Sequence, residues 1–176
     1  MKALTYALIA AGACWIISEV LEVAFGGRTS LTLVLTAAFH LLMAGGIWAA
    51  YAGQGDRKGT LSRVAAGLAS VGYLILVYPP IAAARDPSLD YIEFMQSSSL
   101  FWAAGMFVTL GVALFGAAVL RSRSYPATMG FALLACPLVF VAVILLDGPP
   151  LIGFAANVAL GIVFVAMGVR TMRRRT

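Results

Sequence analysis

Residues 3–25 read ALTYALIAAGACWIISEVLEVAF. As a helix this run is about 35 Å long at 1.5 Å per residue, enough to cross a hydrocarbon core of about 30 Å. Two charged side chains interrupt it, Glu19 and Glu22. A carboxylate inside an apolar span is costly, so its position is read first as a functional one.

Composition extends this reading to the whole chain. Of 176 residues, 62% are hydrophobic and 11% are charged. A soluble domain has about a quarter of its residues charged and could not cover this much apolar surface. The fold class expected is all-α: a polytopic integral membrane protein built as a six-transmembrane-helix bundle, one domain over residues 1–176. The apolar segments fall at about 3–25, 31–52, 61–84, 98–120, 126–146 and 150–170, with an outer loop at 85–97 opened by the Pro79–Pro80 pair.

Charge sets the orientation. On alternating connections one side carries Lys2, Arg57, Lys58, Arg63, Arg121, Arg123, Arg170, Arg173, Arg174 and Arg175; the other carries Arg28 and Arg85. Basic residues collect on the cytoplasmic side, so the N-terminus and C-terminus are both expected to be cytoplasmic, in a bacterial inner (plasma) membrane. Asp86, Asp90, Glu93 and Asp147 then fall in outer connections, and Asp56 stays inside. The net charge of +5 is a topology signal. No basic patch interleaves with aromatics, which excludes nucleic acid as a partner.

Several chemistries have no sequence support. Cys14 and Cys136 lie singly in apolar segments, without a CxxC partner, so neither a disulfide nor a metal cluster is expected. No Gly-x-Ser-x-Gly, P-loop or HExxH motif is present. No metal and no cofactor are implied.

The candidate site lies in the outer half. Gly12, Trp15, Glu19 and Glu22 follow 3, 4, 3 spacing, which is one stripe of a helix. Glu22 lies about 5 Å and Glu19 about 9 Å below the outer helix end. Thr32, Thr36 and His40 form a stripe on the second segment, with His40 about 14 Å deep. Asn157 is about 10 Å below the outer end of the last segment. Tyr73 and Tyr78 are on the outer half of the third segment, and Trp102 on that of the fourth. Glu22 reads as an edge residue and Glu19 as bundle-facing. A Glu19–His40 pair would satisfy both groups, and Asn157 would bond a neighbouring helix.

Small residues mark packing faces: Gly45 with Ala49, Gly46 with Ala50, Ala113 with Ala117, and Asn157 with Gly161. Pro137 interrupts the fifth segment. In the outer loop Leu89, Ile92 and Met95 could share one face of a short helix, with Asp90 and Glu93 on another.

Three functions fit these residues. The first is an outward-facing polar and aromatic pocket that binds or transports a small amphiphilic or cationic ligand, with proton coupling as a variant. Its residues are Glu19, Glu22, His40, Trp15, Tyr73, Tyr78, Trp102 and Asn157. The second is a scaffold or partner subunit of a membrane complex. The third is an intramembrane enzyme acting on a lipid or isoprenoid, with Glu19 as general acid and His40 beside it. The balance leans away from an enzyme. The partners expected are membrane lipids and a small hydrophobic or cationic ligand; a homo-oligomer or a membrane partner is compatible with the same pattern.

Overall fold

The computed structural model describes residues 1–146 and 148–174. Asp147 and Arg175, both used in the charge assignment, lie outside the described residues. The rest is helical, with no strand among the described residues: α1 (Lys2–Ala24), α2 (Ser30–Ala52), α3 (Thr60–Ile75), α4 (Tyr78–Arg85), α5 (Tyr91–Ser97), α6 (Ser99–Ser122), α7 (Ala127–Leu145) and α8 (Pro150–Arg173). Counting α3 with α4, six helices are long and apolar enough to cross a membrane.

Local chemistry fixes where these helices start and stop. Gly26 and Gly27 both have positive φ in the turn after α1, a conformation glycine adopts without a side-chain clash. Thr29 then caps α2. Its hydroxyl accepts from the Thr32 amide, and the Thr32 hydroxyl accepts from the Thr29 amide at 2.8 Å. Pro126 and Pro149 stand at the N-caps of α7 and α8.

The third segment is not one helix, which corrects the uninterrupted span expected over 61–84. Pro79 and Pro80 have no N–H to give to the carbonyls of Ile75 and Leu76, four residues earlier. The helix therefore ends at Ile75 and a new one starts at Tyr78, with the prolines in its first turn. The outer connection does hold a short helix, α5, capped by the Asp90 side chain accepting from the Glu93 amide at 2.8 Å. Its inward residues are Phe94 and Met95, packed near Leu76, Phe101 and Ala104. Ile92, placed by spacing on one face with Met95, is exposed.

Neighbours in sequence are neighbours in space, and the ring closes. α1 packs on α2, α2 on α3 and α4, α3 on α6, α6 on α7, α7 on α8, and α8 back on α1. Small residues permit the approaches. A Cβ on Gly12 would come 2.6 Å from the Gly161 carbonyl oxygen across the α1–α8 seam. On Gly111 it would come 2.5 Å from the Ala69 nitrogen across α3–α6, and on Gly116 it would come 2.6 Å from the Leu134 nitrogen across α6–α7. Inside the ring lie Phe39, Met43, Phe115, Phe164 and Met167. The outside is apolar too: Ile17, Val34, Leu41, Leu110, Phe131 and Ile162 are all exposed.

The start of α1 and the close of α8 meet at one end of the bundle. Gly168, near the close of α8, packs on Ile9 of α1, and Gly46 of α2 on Leu8. Arg174 there donates to the carbonyls of Gly53 at 2.9 Å and Ser124 at 2.8 Å, tying two connections to the C-terminal helix. Tyr125 adds a 3.0 Å bond to the Ala50 carbonyl and lies 2.8 Å from the Thr171 hydroxyl. This is the basic end. The opposite, acidic end holds Glu19, Glu22, Asp86, Asp90 and Glu93.

Candidate functional site

Two layers of polar side chains occupy the acidic end. In the upper one, Asn157 Nδ2 on α8 donates to Glu19 Oε1 on α1 at 3.0 Å. The two positions face each other because the Gly12–Gly161 contact, lower on the same seam, brings α1 and α8 close. Glu22, one turn above Glu19, forms an ion pair with Arg28 at 3.0 Å, both side chains about a third exposed. The Gly26–Gly27 turn folds the chain back so that these residues, six apart, can meet. Arg28 also sits over the ring of Tyr91 on α5, its Cζ 4.3 Å from the centroid. Burial pushes the Tyr91 phenol above its ordinary range; Arg28 opposes this, and the nearby Glu22 and Glu19 add to it.

The lower layer is aromatic. Trp15 stacks on Phe39 with centroids 4.3 Å apart, and His40 lies 6.3 Å from Trp15 and 5.2 Å from Phe39. Tyr73 stands 5.9 Å from His40 and meets Phe39 edge-on at 5.4 Å. His40 Nδ1 lies 2.8 Å from the carbonyl oxygen of Leu76, the residue at the α3–α4 break. A carbonyl only accepts, so Nδ1 is the donor, and histidine covers a carbonyl that Pro80 leaves without its helical partner. Ser18 links the layers to α2, its hydroxyl 3.0 Å from both the Thr32 carbonyl and the Thr36 hydroxyl.

The residues singled out by sequence divide accordingly. Glu19 meets Asn157 and not His40; the Glu19–His40 pairing is corrected, because each group has a nearer partner. Trp15, His40 and Tyr73 come together, and Glu19, Glu22 and Asn157 lie on the adjoining turns of α1 and α8. Tyr78 does not join them. It is 60% exposed and packs beside Phe101 and Phe94 at 6.2 and 6.1 Å. Trp102, 45% exposed, also stands apart from both layers. The break between α3 and α4 turns Tyr78 off the line on which Tyr73 points inward.

Sequence reading missed Arg28, Tyr91, Phe39, Ser18 and the Leu76 carbonyl. A signal existed for the last: two adjacent prolines free two carbonyls, and a lone intramembrane histidine is a ready donor. Nothing in the sequence placed Tyr91 over Arg28. At the basic end a concavity of 520 Å³ opens beside Met129, Val169, Arg170 and Arg173.

No protein family, curated protein or solved structure matches this chain. The reading of the site rests on its own geometry.

Proposed function

We propose that this chain is a multi-pass plasma-membrane protein, both termini cytoplasmic, that binds or transports a small amphiphilic or cationic ligand at the acidic end. The membrane reading is supported by six long apolar helices whose outer faces are apolar, since soluble proteins seldom expose such patches. The orientation is supported by the gathering of lysine and arginine at one end.

The observation that carries the binding reading is the half-buried Glu19 carboxyl. One oxygen is held by Asn157, and the other makes no hydrogen bond among the described residues. Arg28 is committed to Glu22 and Tyr91, so Glu19 keeps an oxygen for a ligand. Trp15, one turn below on the same stripe, offers an aromatic surface to the apolar part of such a ligand. Glu22 shapes the rim of the site through Arg28.

The test uses tetraphenylphosphonium as a hydrophobic cation and the purified protein in detergent. Glu19→Gln keeps an oxygen for Asn157 and removes the acidic group. The expected result is at least about tenfold weaker binding, equal to about 1.4 kcal/mol, with unfolding temperature within a few degrees of wild type. Equal affinity in the two proteins would sink the reading.

A further inference from the structure

Below Glu19, three polar atoms in the aromatic layer lack a partner. The Trp15 Nε1–H is buried and makes no hydrogen bond among the described residues. Phe39 does not receive it: the two rings are stacked with their planes 28° apart, so the N–H, which lies in the indole plane, points away from the Phe39 face. His40 uses Nδ1–H on the Leu76 carbonyl, and in the neutral ring Nε2 is then an acceptor. No hydrogen bond to Nε2 is formed among the described residues. Tyr73, 1% exposed, likewise keeps its hydroxyl without a partner there. For the Trp15 N–H, the one of the three that is both buried and unpartnered, this costs about 1–3 kcal/mol.

We infer that Trp15, His40 and Tyr73 form a receptor for one neutral hydroxyl group at the head of an otherwise apolar molecule. A hydroxyl oxygen can accept from Trp15 Nε1–H while its proton goes to His40 Nε2, and Tyr73 Oη can take either role. A carbonyl or an ether oxygen can only accept, and would leave Nε2 without a donor. No charged side chain belongs to the aromatic layer, which selects against an ionic head there. Phe39 supplies the apolar wall, stacked on a Trp15 that is itself only partly buried. This deepens the binding reading by naming a second chemistry in the ligand. It rests on that reading for access to this end, but on different atoms from Glu19.

The test compares dodecanol, dodecyl methyl ether and dodecane on the purified protein, following the Trp15 indole proton–nitrogen resonance. Dodecanol is expected to move that resonance and to bind at least about fivefold tighter than the ether, in keeping with one added hydrogen bond. Trp15→Phe keeps an aromatic ring beside Phe39 and removes the unpartnered donor together with part of the indole surface. Read by equilibrium dialysis, since this variant has no Trp15 resonance, it should bring alcohol and ether within about twofold of each other. Tyr73→Phe, followed by the same Trp15 resonance, should reduce the alcohol preference part of the way. Glu19→Gln should leave it intact, which separates failure of the cation site from failure of this one. Equal binding of alcohol and ether by the wild type, or an unchanged preference in Trp15→Phe, would overturn the assignment.

Discussion

His40 Nδ1 lies 2.8 Å from the Leu76 carbonyl oxygen, and Pro80, four residues beyond Leu76, has no N–H to offer that carbonyl. The single histidine of the chain therefore supports a break in a membrane-length helix. In hydrocarbon such a break is tolerated only where its backbone groups are satisfied or face a cavity.

This pairing predicts a coupling. His40→Phe should lower stability by about 1–3 kcal/mol, because the Leu76 carbonyl is left buried without a donor. Pro80→Ala restores an N–H four residues on, so His40→Phe should cost about 1 kcal/mol less in that background. Thermal unfolding of the four proteins in one detergent measures the cycle. Additive effects would show that histidine acts only by packing.

The glycine seams predict a contrast within one helix. Gly111→Ala places a methyl 2.5 Å from the Ala69 nitrogen and 2.9 Å from the Ala65 carbonyl oxygen, both backbone atoms that cannot swing aside. It should destabilise by about 2 kcal/mol. Gly105→Ala, on the same α6, meets nothing within 4 Å and should be neutral or slightly stabilising through helix propensity. Similar unfolding temperatures for the two variants would contradict the close α3–α6 approach.

Tyr91 predicts a loss of stability at alkaline pH. Its folded phenol titrates above the ordinary value of about 10 because burial disfavours the phenolate. The folded state thus keeps a proton that the unfolded chain releases. The stability tied to this proton is fully present below about pH 10 and is lost as pH rises through the folded value. Tyr91→Phe should remove that part of the alkaline loss. Arg28→Ala should push the phenol higher still, since Arg28 is the charge that favours the phenolate. Absorbance titration of the phenolates, wild type against Tyr91→Phe, isolates the residue.

Orientation is testable with single cysteines. After Cys14 and Cys136 are replaced by alanine, Gly59→Cys reports on the basic end and Gln96→Cys on the acidic end; both positions are exposed. In intact cells an impermeant maleimide should label Gln96→Cys, while Gly59→Cys should react only after permeabilisation. The reverse pattern would invert the bundle.

Much of the fold was legible because membrane spans are read by length and apolarity, both local properties. Lys2 through Arg174 on one side and Arg28 with Arg85 on the other gave the pairing of ends before any contact was known. The exception was the third span. Pro79 and Pro80 read as the opening of a loop, whereas proline at a helix start is compatible with helix, and the chain resumed one at Tyr78. The site was only half legible. The stripe Trp15, Glu19, Glu22 was visible from 3.6-residue periodicity, and depth placed His40 and Asn157 near it. Depth along an axis does not give rotation about it, so Glu19 could have met either His40 or Asn157.

Sequence alone determined the number of apolar spans, the basic and acidic ends, and the anomalous positions of Glu19 and His40, because burial and charge act on each segment separately. Tertiary structure decided the rest. It closed the ring by packing α8 on α1 through Gly12 and Gly161, gave Glu19 to Asn157, and brought His40 to the carbonyl freed by Pro80. Those outcomes depend on how each helix is turned toward its neighbours, which is set by packing between residues far apart in sequence, 36 positions for His40 and Leu76 and 138 for Glu19 and Asn157.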